Sequence, residues 1–310
     1  MSIAFIFPGQ GAQTIGMGRE LAESYPAARA VFDEVDAALG QKLSELIWEG
    51  DIETLTLTEN AQPALMATSM AAMAALGAEG ITVDRAAFVA GHSLGEYSAL
   101  CASGALSLAD TARLLRIRGR AMQSAVPVGE GAMAAVLGLD IDQVIKVAQE
   151  AAQGEVCEVA NENDPSQNVV SGNAAAVERA TVLAKEAGAK RALILPVSAP
   201  FHCSLMGPAA TAMATALSEV EIKDPHVPLV ANVLAEAVTS ATQIQGLLVD
   251  QVTGRVRWRT SVEWMVAQGV TEFWEIGAGK ALSGMIRRIS KDSTCRTFGT
   301  PAEIAAAEDA

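Results

Sequence analysis

Residues 86–100, AAFVAGHSLGEYSAL, constrain the fold more tightly than any other stretch. A short apolar run meets Gly91-His92-Ser93-Leu94-Gly95 and passes directly into residues with helical spacing. A run that is apolar on both faces predicts a strand buried inside a parallel sheet. Its abrupt change to a helix is the strand–turn–helix step of an α/β protein. Glycines on either side of the serine relieve crowding on so sharp a turn. The chain opens in the same way: IAFIF (3–7) predicts a buried strand stopped by Pro8-Gly9. Helical spacing follows over 18–39 and 61–79, and helices are expected at 94–103 and 108–125. The fold class is therefore α/β, with a parallel sheet covered on both faces.

The pattern changes between about 128 and 196. AMAAVLGL (132–139) predicts a strand, IDQVIKVAQEAA (141–152) a helix, and VCEVANE (156–162) and QNVVSGN (167–173) two strands about a polar turn. AAVERATVLAKEAG (175–188) predicts a helix and RALILPV (191–197) a last strand. The order βαββαβ is that of a ferredoxin-like unit. With 310 residues, half of them hydrophobic, the chain has room for a large core and a second small one. It is read as a large domain, 1–127 and 198–310, interrupted by a small domain at 128–197. Beyond the insertion, helices are expected at 204–217, 240–251, 260–268 and 280–290, and strands at 228–232, 273–277 and 295–298.

Composition narrows the function classes. A net charge of −14 argues against nucleic acid as the partner. Basic residues nevertheless cluster at Arg113, Arg116, Arg118 and Arg120, at Lys190-Arg191, at Arg255, Arg257 and Arg259, and at Arg287, Arg288 and Lys291. Such clusters are either solvated helix faces or docking ground for an anionic partner. No apolar run approaches a membrane span, and MSIAFIFPGQ reads as a first strand, not a signal peptide. Cys101, Cys157, Cys203 and Cys295 are scattered without a CxxC pair, so no metal site or disulfide framework is expected and a reducing cytoplasm fits.

Ser93 on a strand-to-helix turn predicts a nucleophile, with the N–H groups at the helix start aimed at developing negative charge. The chain has three histidines. His92 neighbours the serine and is expected to point away, and His226 in DPHVP is expected at the surface. His202, in SAPFHCSLM, is left as the base. One oxyanion donor is the N–H of Leu94, and the glycine-flanked Gln10 in FPGQGAQ supplies a candidate second. On helix 108–125, Thr111, Leu114, Leu115, Ala121, Met122 and Ala125 form one apolar stripe, with Arg113, Arg116 and Arg120 opposite. Arg118 falls within the stripe. A buried arginine must meet an anion, either an internal carboxylate or the carboxylate of a substrate held bidentately. Met122, beside it on the stripe, joins the candidate substrate-binding residues.

These segments, with NAQPAL (60–65), RGRAMQ (118–123), NDPSQNVVSG (163–172), PFHCSLM (200–206) and EIGAGKALSGMIRR (275–288), resemble the malonyl-CoA:acyl carrier protein transacylases of fatty acid synthesis nearly end to end. The resemblance implies an α/β-hydrolase-like large domain with a ferredoxin-like insertion. It also implies ping-pong transfer from malonyl-CoA to holo acyl carrier protein through a malonyl-Ser93 ester, with no cofactor. By the same pattern Arg118 would hold the malonyl carboxylate, and the backbone carbonyl of Gln251 would orient His202. Gln62 and Asn163 match pocket positions. Phe201 before His202 is similar to related acyltransferases that take malonyl, where methylmalonyl enzymes often carry serine. A monomer in the cytoplasm is the expected state. Two rivals remain: a serine esterase or thioesterase with the same elbow, and a non-catalytic acyl- or carrier-binding module.

Overall fold

A computed structural model describes residues 2–307. Residues 1 and 308–310, the two ends of the expected large domain, lie outside the described residues. The first strand, β1 (Ser2–Phe7), is buried along nearly its whole length. It is followed by α1 (Arg19–Ser24), α2 (Pro26–Leu39), α3 (Leu43–Glu49), α4 (Ile52–Thr56) and α5 (Thr58–Ala78). The helical spacing over 18–39 is split because Pro26 opens α2. Proline cannot continue a helix at that point, and Tyr25 before it is extended, with φ −125° and ψ 112°. Helix α5 has no single apolar face and is almost wholly buried from Thr58 to Leu76, its polar Asn60 and Gln62 included. Strand β2 (Phe88–Gly91), helix α6 (Leu94–Ala102) and helix α7 (Leu108–Ser124) complete this half.

The strand expected from Ala86 begins only at Phe88. Its junction with α6 is tight. A Cβ on Gly91 would lie 2.0 Å from the carbonyl of Gly95, and one on Gly95 would lie 2.3 Å from the oxygen of Phe7. The spacing G-x-S-x-G is thus a packing requirement: β1, the turn and the first turn of α6 touch backbone to backbone. Between the glycines Ser93 takes φ 55° and ψ −110°, a conformation that costs a side-chain-bearing residue free energy.

The next segment runs β3 (Gly131–Leu137), α8 (Ile141–Ala152), β4 (Cys157–Asp164), β5 (Gln167–Asn173), α9 (Ala174–Glu186) and β6 (Arg191–Ile194), the order expected. Its four strands form an antiparallel sheet in the order β4-β5-β3-β6. Val136, Val144, Val147, Val170, Val177 and Ala180 close a core between one face of this sheet and the helices α8 and α9. Strand β6 ends three residues earlier than expected: Leu195 N–H still donates to the Met133 carbonyl of β3, but Pro196 and Val197 leave the sheet. Edge strand β4 also meets the rest of the chain: Val256 bridges Asn161, and Glu162 N–H donates to the Val256 carbonyl. Arg259 and Arg288 pair with Glu162 and Asp164 of β4, so two of the basic residues read as surface charge instead fasten this sheet.

The remaining elements are α10 (Gly207–Ser218), β7 (Leu229–Val230), β8 (Ala237–Val238), α11 (Ala241–Thr253), α12 (Trp258–Ala267), β9 (Val270–Ile276), α13 (Ala281–Ile289), β10 (Thr294–Phe298) and α14 (Pro301–Ala305). The large sheet has the order β10-β9-β1-β2-β7-β8, parallel throughout except for β8 against β7. Central β1 shows how it is covered. Phe5 and Phe7 pack into the core built around α2, α5 and α7, whereas Ala4 and Ile6 face the core of Trp258, Met265, Leu282 and Ile286. Among the described residues no helix is long and apolar enough to cross a membrane.

The elbow packing predicts that Gly91→Ala lowers unfolding free energy by at least about 2 kcal/mol, the scale of forced overpacking in a rigid core. Chemical denaturation of the variant against the parent chain measures it, and an unchanged midpoint would mean that the turn can relax.

Candidate active site

The carboxyl ends of β1 and β2 bring two loops together. Gly9 packs so closely on the elbow that a Cβ there would lie 2.6 Å from the oxygen of His92. This places Gln10 beside Ser93 at the mouth of a cleft of about 410 Å³. Gln62, Arg118, Met122, Phe201 and His202 line the cleft, together with Met133, Asn161, Leu195 and Val197 from the smaller sheet and its exit. The cleft thus lies between the two sheets, and the residues that β6 releases form part of its wall.

Ser93 and His202 meet directly, with Oγ 2.7 Å from Nε2. His202 itself has φ 57°, so a second strained backbone carries the partner of the first. On the far side of the ring, Nδ1 lies 2.9 Å from the backbone oxygen of Gln251. A carbonyl only accepts, so Nδ1 carries the proton and Nε2 presents its lone pair to the serine hydroxyl. His202 is buried. Burial first, and the charge of Arg118 second, push its pKa down to about 3. The imidazole is therefore neutral at pH 7 and available as a base.

Arg118 is 1% exposed and reaches the same point. Its guanidinium donates to Ser93 Oγ at 3.1 Å, to Gln62 Oε1 at 2.8 Å and to Gln251 Oε1 at 2.8 Å. No carboxylate forms an ion pair with it among the described residues. The helical spacing that placed Arg118 on the buried stripe is therefore matched by a cation that neutral amides hold beside the Ser93 hydroxyl. Arg116, expected on the solvated side, is buried as well, with a hydrogen bond to Asn60 Oδ1 of α5. Helix α7 is buried over a wider arc than its apolar residues mark, because α5 offers a polar side chain at the contact. Arg113 and Arg120 are exposed and pair with Asp110 and Glu59.

The remaining candidates are distributed around this centre. Gln62 Nε2 also approaches Met122 Sδ at 3.9 Å. The backbone N–H groups of Gln10 and Leu94 have no acceptor among the described residues and flank the serine from the two loops. Asn163 does not line the cleft: its Oδ1 lies 2.9 Å from His92 Nε2, and Asn161 stands at the wall instead. His92, expected to point away, is half-buried and part of that wall, with burial lowering its pKa. His226 is exposed, as expected.

Two residues went unnoticed in the sequence. Asn232, just past β7, accepts the N–H of Ser93 at 2.8 Å and donates to the Gly91 carbonyl at 2.7 Å, clamping both sides of the strained turn. Glu96 is 1% exposed. It accepts from the Asn232 N–H at 3.0 Å and from Gln251 Nε2 at 2.9 Å. Burial pushes its pKa up to about 7 against the opposing pull of those bonds and of Arg118. An acid three residues after the serine, on a stretch otherwise apolar, was the available signal. For Asn232 there was none. Among the described residues no group of three or more His, Cys, Asp or Glu could hold a metal ion.

A strained serine hydroxyl, a neutral imidazole and a buried guanidinium thus meet in one cleft, groups chemically suited to acyl transfer or hydrolysis. The acyl transferase domain family model matches residues 4–298. The chain is 51% identical over 290 residues to the malonyl CoA-acyl carrier protein transacylase of Bacillus subtilis (strain 168), covering 93% of this chain and 90% of that one. The crystal structure of an acyl-carrier-protein-S-malonyltransferase from Bartonella henselae superposes with a TM-score of 0.98 at 56% identity, over 100% of this chain and 99% of the other. A malonyl-transacylase solved in complex with its type II PKS acyl-carrier protein gives 0.97 at 40% identity, over 100% of both chains. By sequence and fold alike, the chain belongs to the acyl transferase domain family, among its malonyl-CoA:acyl carrier protein transacylases.

Proposed function

We propose that the chain transfers malonyl from malonyl-CoA to the phosphopantetheine thiol of holo acyl carrier protein through a malonyl-Ser93 ester, supplying fatty acid synthesis. The observation that carries this reading is the buried Arg118 guanidinium within hydrogen-bond reach of the nucleophile, because a neutral acyl group would leave that charge without an anion. Malonyl-CoA and carrier protein are also what the names of the relatives specify.

Ser93 Oγ attacks the thioester carbon while its proton passes to His202 Nε2. The oxyanion is met by the N–H groups of Gln10 and Leu94, one from each loop. Collapse breaks the C–S bond, and the CoA sulfur leaves with the proton from Nε2. The carrier thiol then repeats the steps in reverse, giving its proton to His202 and taking the acyl group from Ser93. One thioester is exchanged for another, so nothing is oxidised or reduced. Gln62 and Gln251 hold Arg118 against the malonyl carboxylate. Met122 and Phe201 supply the apolar wall, with Phe201 crowding an α-methyl group, and Asn163 acts on the wall through His92. A carbonyl suffices behind His202 because thiols leave far more readily than amines, so the imidazolium needs less support than a protease gives it. A hydrolase would be expected to place an acid there, and the Gln251 carbonyl occupies that position.

The architecture fits an α/β-hydrolase-like large domain, residues 1–127 and 198–310, with a ferredoxin-like small domain at 128–197. The chain acts as a cytoplasmic monomer without a cofactor or nucleic-acid partner. Exposed Lys190 and Arg191, near the segment that lines the cleft, offer an acidic carrier protein a local positive patch on a negative molecule.

Brief exposure to malonyl-CoA should add one malonyl group to the intact mass, and holo carrier protein should remove it. Free malonate without an adduct would favour a hydrolase. Arg118→Ala should cut kcat/KM for malonyl-CoA by about 10²-fold or more, the scale for truncating one partner of a buried charge pair. Acetyl transfer by the same variant should hold or rise, and equal losses with both substrates would remove Arg118 from acyl selection. Because protonation disables the base and the His202 pKa lies near 3, acylation by a neutral activated ester should keep its rate from pH 8 down to pH 5. A fall through pH 6.5 would show an ordinary, hydrated histidine.

A further inference from the structure

Glu96 has no part in the transfer steps above, yet it is buried at their centre. Its Oε2 accepts one hydrogen from Gln251 Nε2, and the oxygen of Ser93 accepts from the same nitrogen at 3.0 Å. Both amide hydrogens of Gln251 are therefore directed at oxygens that accept them. This fixes the amide the other way round at its far end, where Oε1 receives the Arg118 guanidinium at 2.8 Å. With the amide flipped, an oxygen would face the Glu96 carboxyl and an NH2 group would face the guanidinium. An NH2 group against the guanidinium, and an oxygen against the Ser93 carbonyl and an ionised Glu96, are all repulsive, so the acceptor at position 96 acts with the Ser93 oxygen to set which face of Gln251 Arg118 meets.

The arrangement has a second consequence. One amide separates Glu96 from Arg118, so the carboxyl does not saturate the guanidinium, and Arg118 Nε has no partner. A carboxylate in direct contact would compete with an anionic acyl group for the same donors. We propose that Glu96 is a positioning residue for acyl selection: by fixing the side-chain amide of Gln251 it aims the guanidinium of Arg118 at a carboxylate on the acyl group. This rests on the reading that Arg118 binds that carboxylate. The requirement is an acceptor oxygen, which a glutamine at this position also supplies.

The test compares acylation of Ser93 by malonyl-CoA and by acetyl-CoA in the full chain, followed by intact mass, with melting temperatures as the check on folding. Glu96→Ala should raise KM for malonyl-CoA about tenfold or more and change acetylation less than about threefold, the effect of one buried charge-assisted hydrogen bond lost on the malonyl path alone. Glu96→Gln should recover malonyl acylation to within a few-fold. Gln251→Met keeps the backbone carbonyl behind His202 and removes the amide, and even if Glu96→Ala does not fold it should raise KM for malonyl-CoA several-fold more than KM for acetyl-CoA, whatever the loss of its Ser93 contact costs both. Equal loss with both acyl groups would reduce Glu96 to a support of the elbow and overturn the proposal, as would no loss with either. Arg118→Ala separates the two readings. If it leaves the malonyl preference intact, the acyl class assigned to the site fails. If it abolishes the preference while the Glu96 and Gln251 variants keep it, only the role of Glu96 fails.

Discussion

The burial of Arg118 is the interaction around which the site is organised. A guanidinium 1% exposed has lost most of its hydration, and its charge must be met by oriented dipoles or by an anion. The chain uses dipoles. Gln62 comes from α5, Gln251 from the last turn of α11, and the serine from the elbow, so three separate segments are set in place by one cation. Neutral partners stabilise the charge without cancelling it. The cation therefore stays attractive to an incoming anion and also holds down the basicity of His202.

Strain is concentrated beside that charge. Ser93 and His202 are both at positive φ, and each is held by contacts from elsewhere in the chain. The first loop packs its Gly9 on His92, Asn232 clamps the backbone on either side of Ser93, and the Gln251 carbonyl fixes the His202 ring. Such conformations persist only where the surroundings over-determine them. Here the surroundings are the carboxyl ends of buried parallel strands, which cannot shift without disturbing both cores of the large sheet.

The parallel strands and the long helices were legible because their signals are local. IAFIF and FVAG are apolar throughout, α8 and β5 have the expected limits, and Arg118 stood out because an apolar stripe makes a lone cation conspicuous. Short helices such as α3 and α4 were missed, since seven and five residues are too few to establish a period. The strand predicted to reach Val197 stops at Ile194 because Leu195 and Val197 are drawn to the cleft, and an apolar residue in a wall reads like one in a sheet. Arg116 was misread for a related reason: its partner Asn60 is far away in the chain, and periodicity carries no information about what a neighbouring helix offers. Asn161 and Asn163 are two residues apart and would share a face of a regular strand, but bulges break the alternation in β4 and only Asn161 meets the cleft. Asn232 lies in a loop, where no period exists to mark it.

The place behind His202 joins these constraints. A carboxylate there would make the imidazole more basic, but it would also put a full negative charge close to the buried guanidinium of Arg118 in the cleft. Arg118 would then have an internal anion to bind, and the preference proposed for it, toward an anionic acyl group, would weaken. A backbone carbonyl orients the same ring, sets the same tautomer and adds no net charge. In the proposed reaction the weaker support is tolerable because the leaving group is a sulfur. Glu96, the carboxyl that bonds Gln251, is kept one amide away from the guanidinium. In the proposed reaction base strength and acyl selection thus pull against each other, and the chain resolves the conflict by keeping carboxylates out of direct contact with Arg118 and His202.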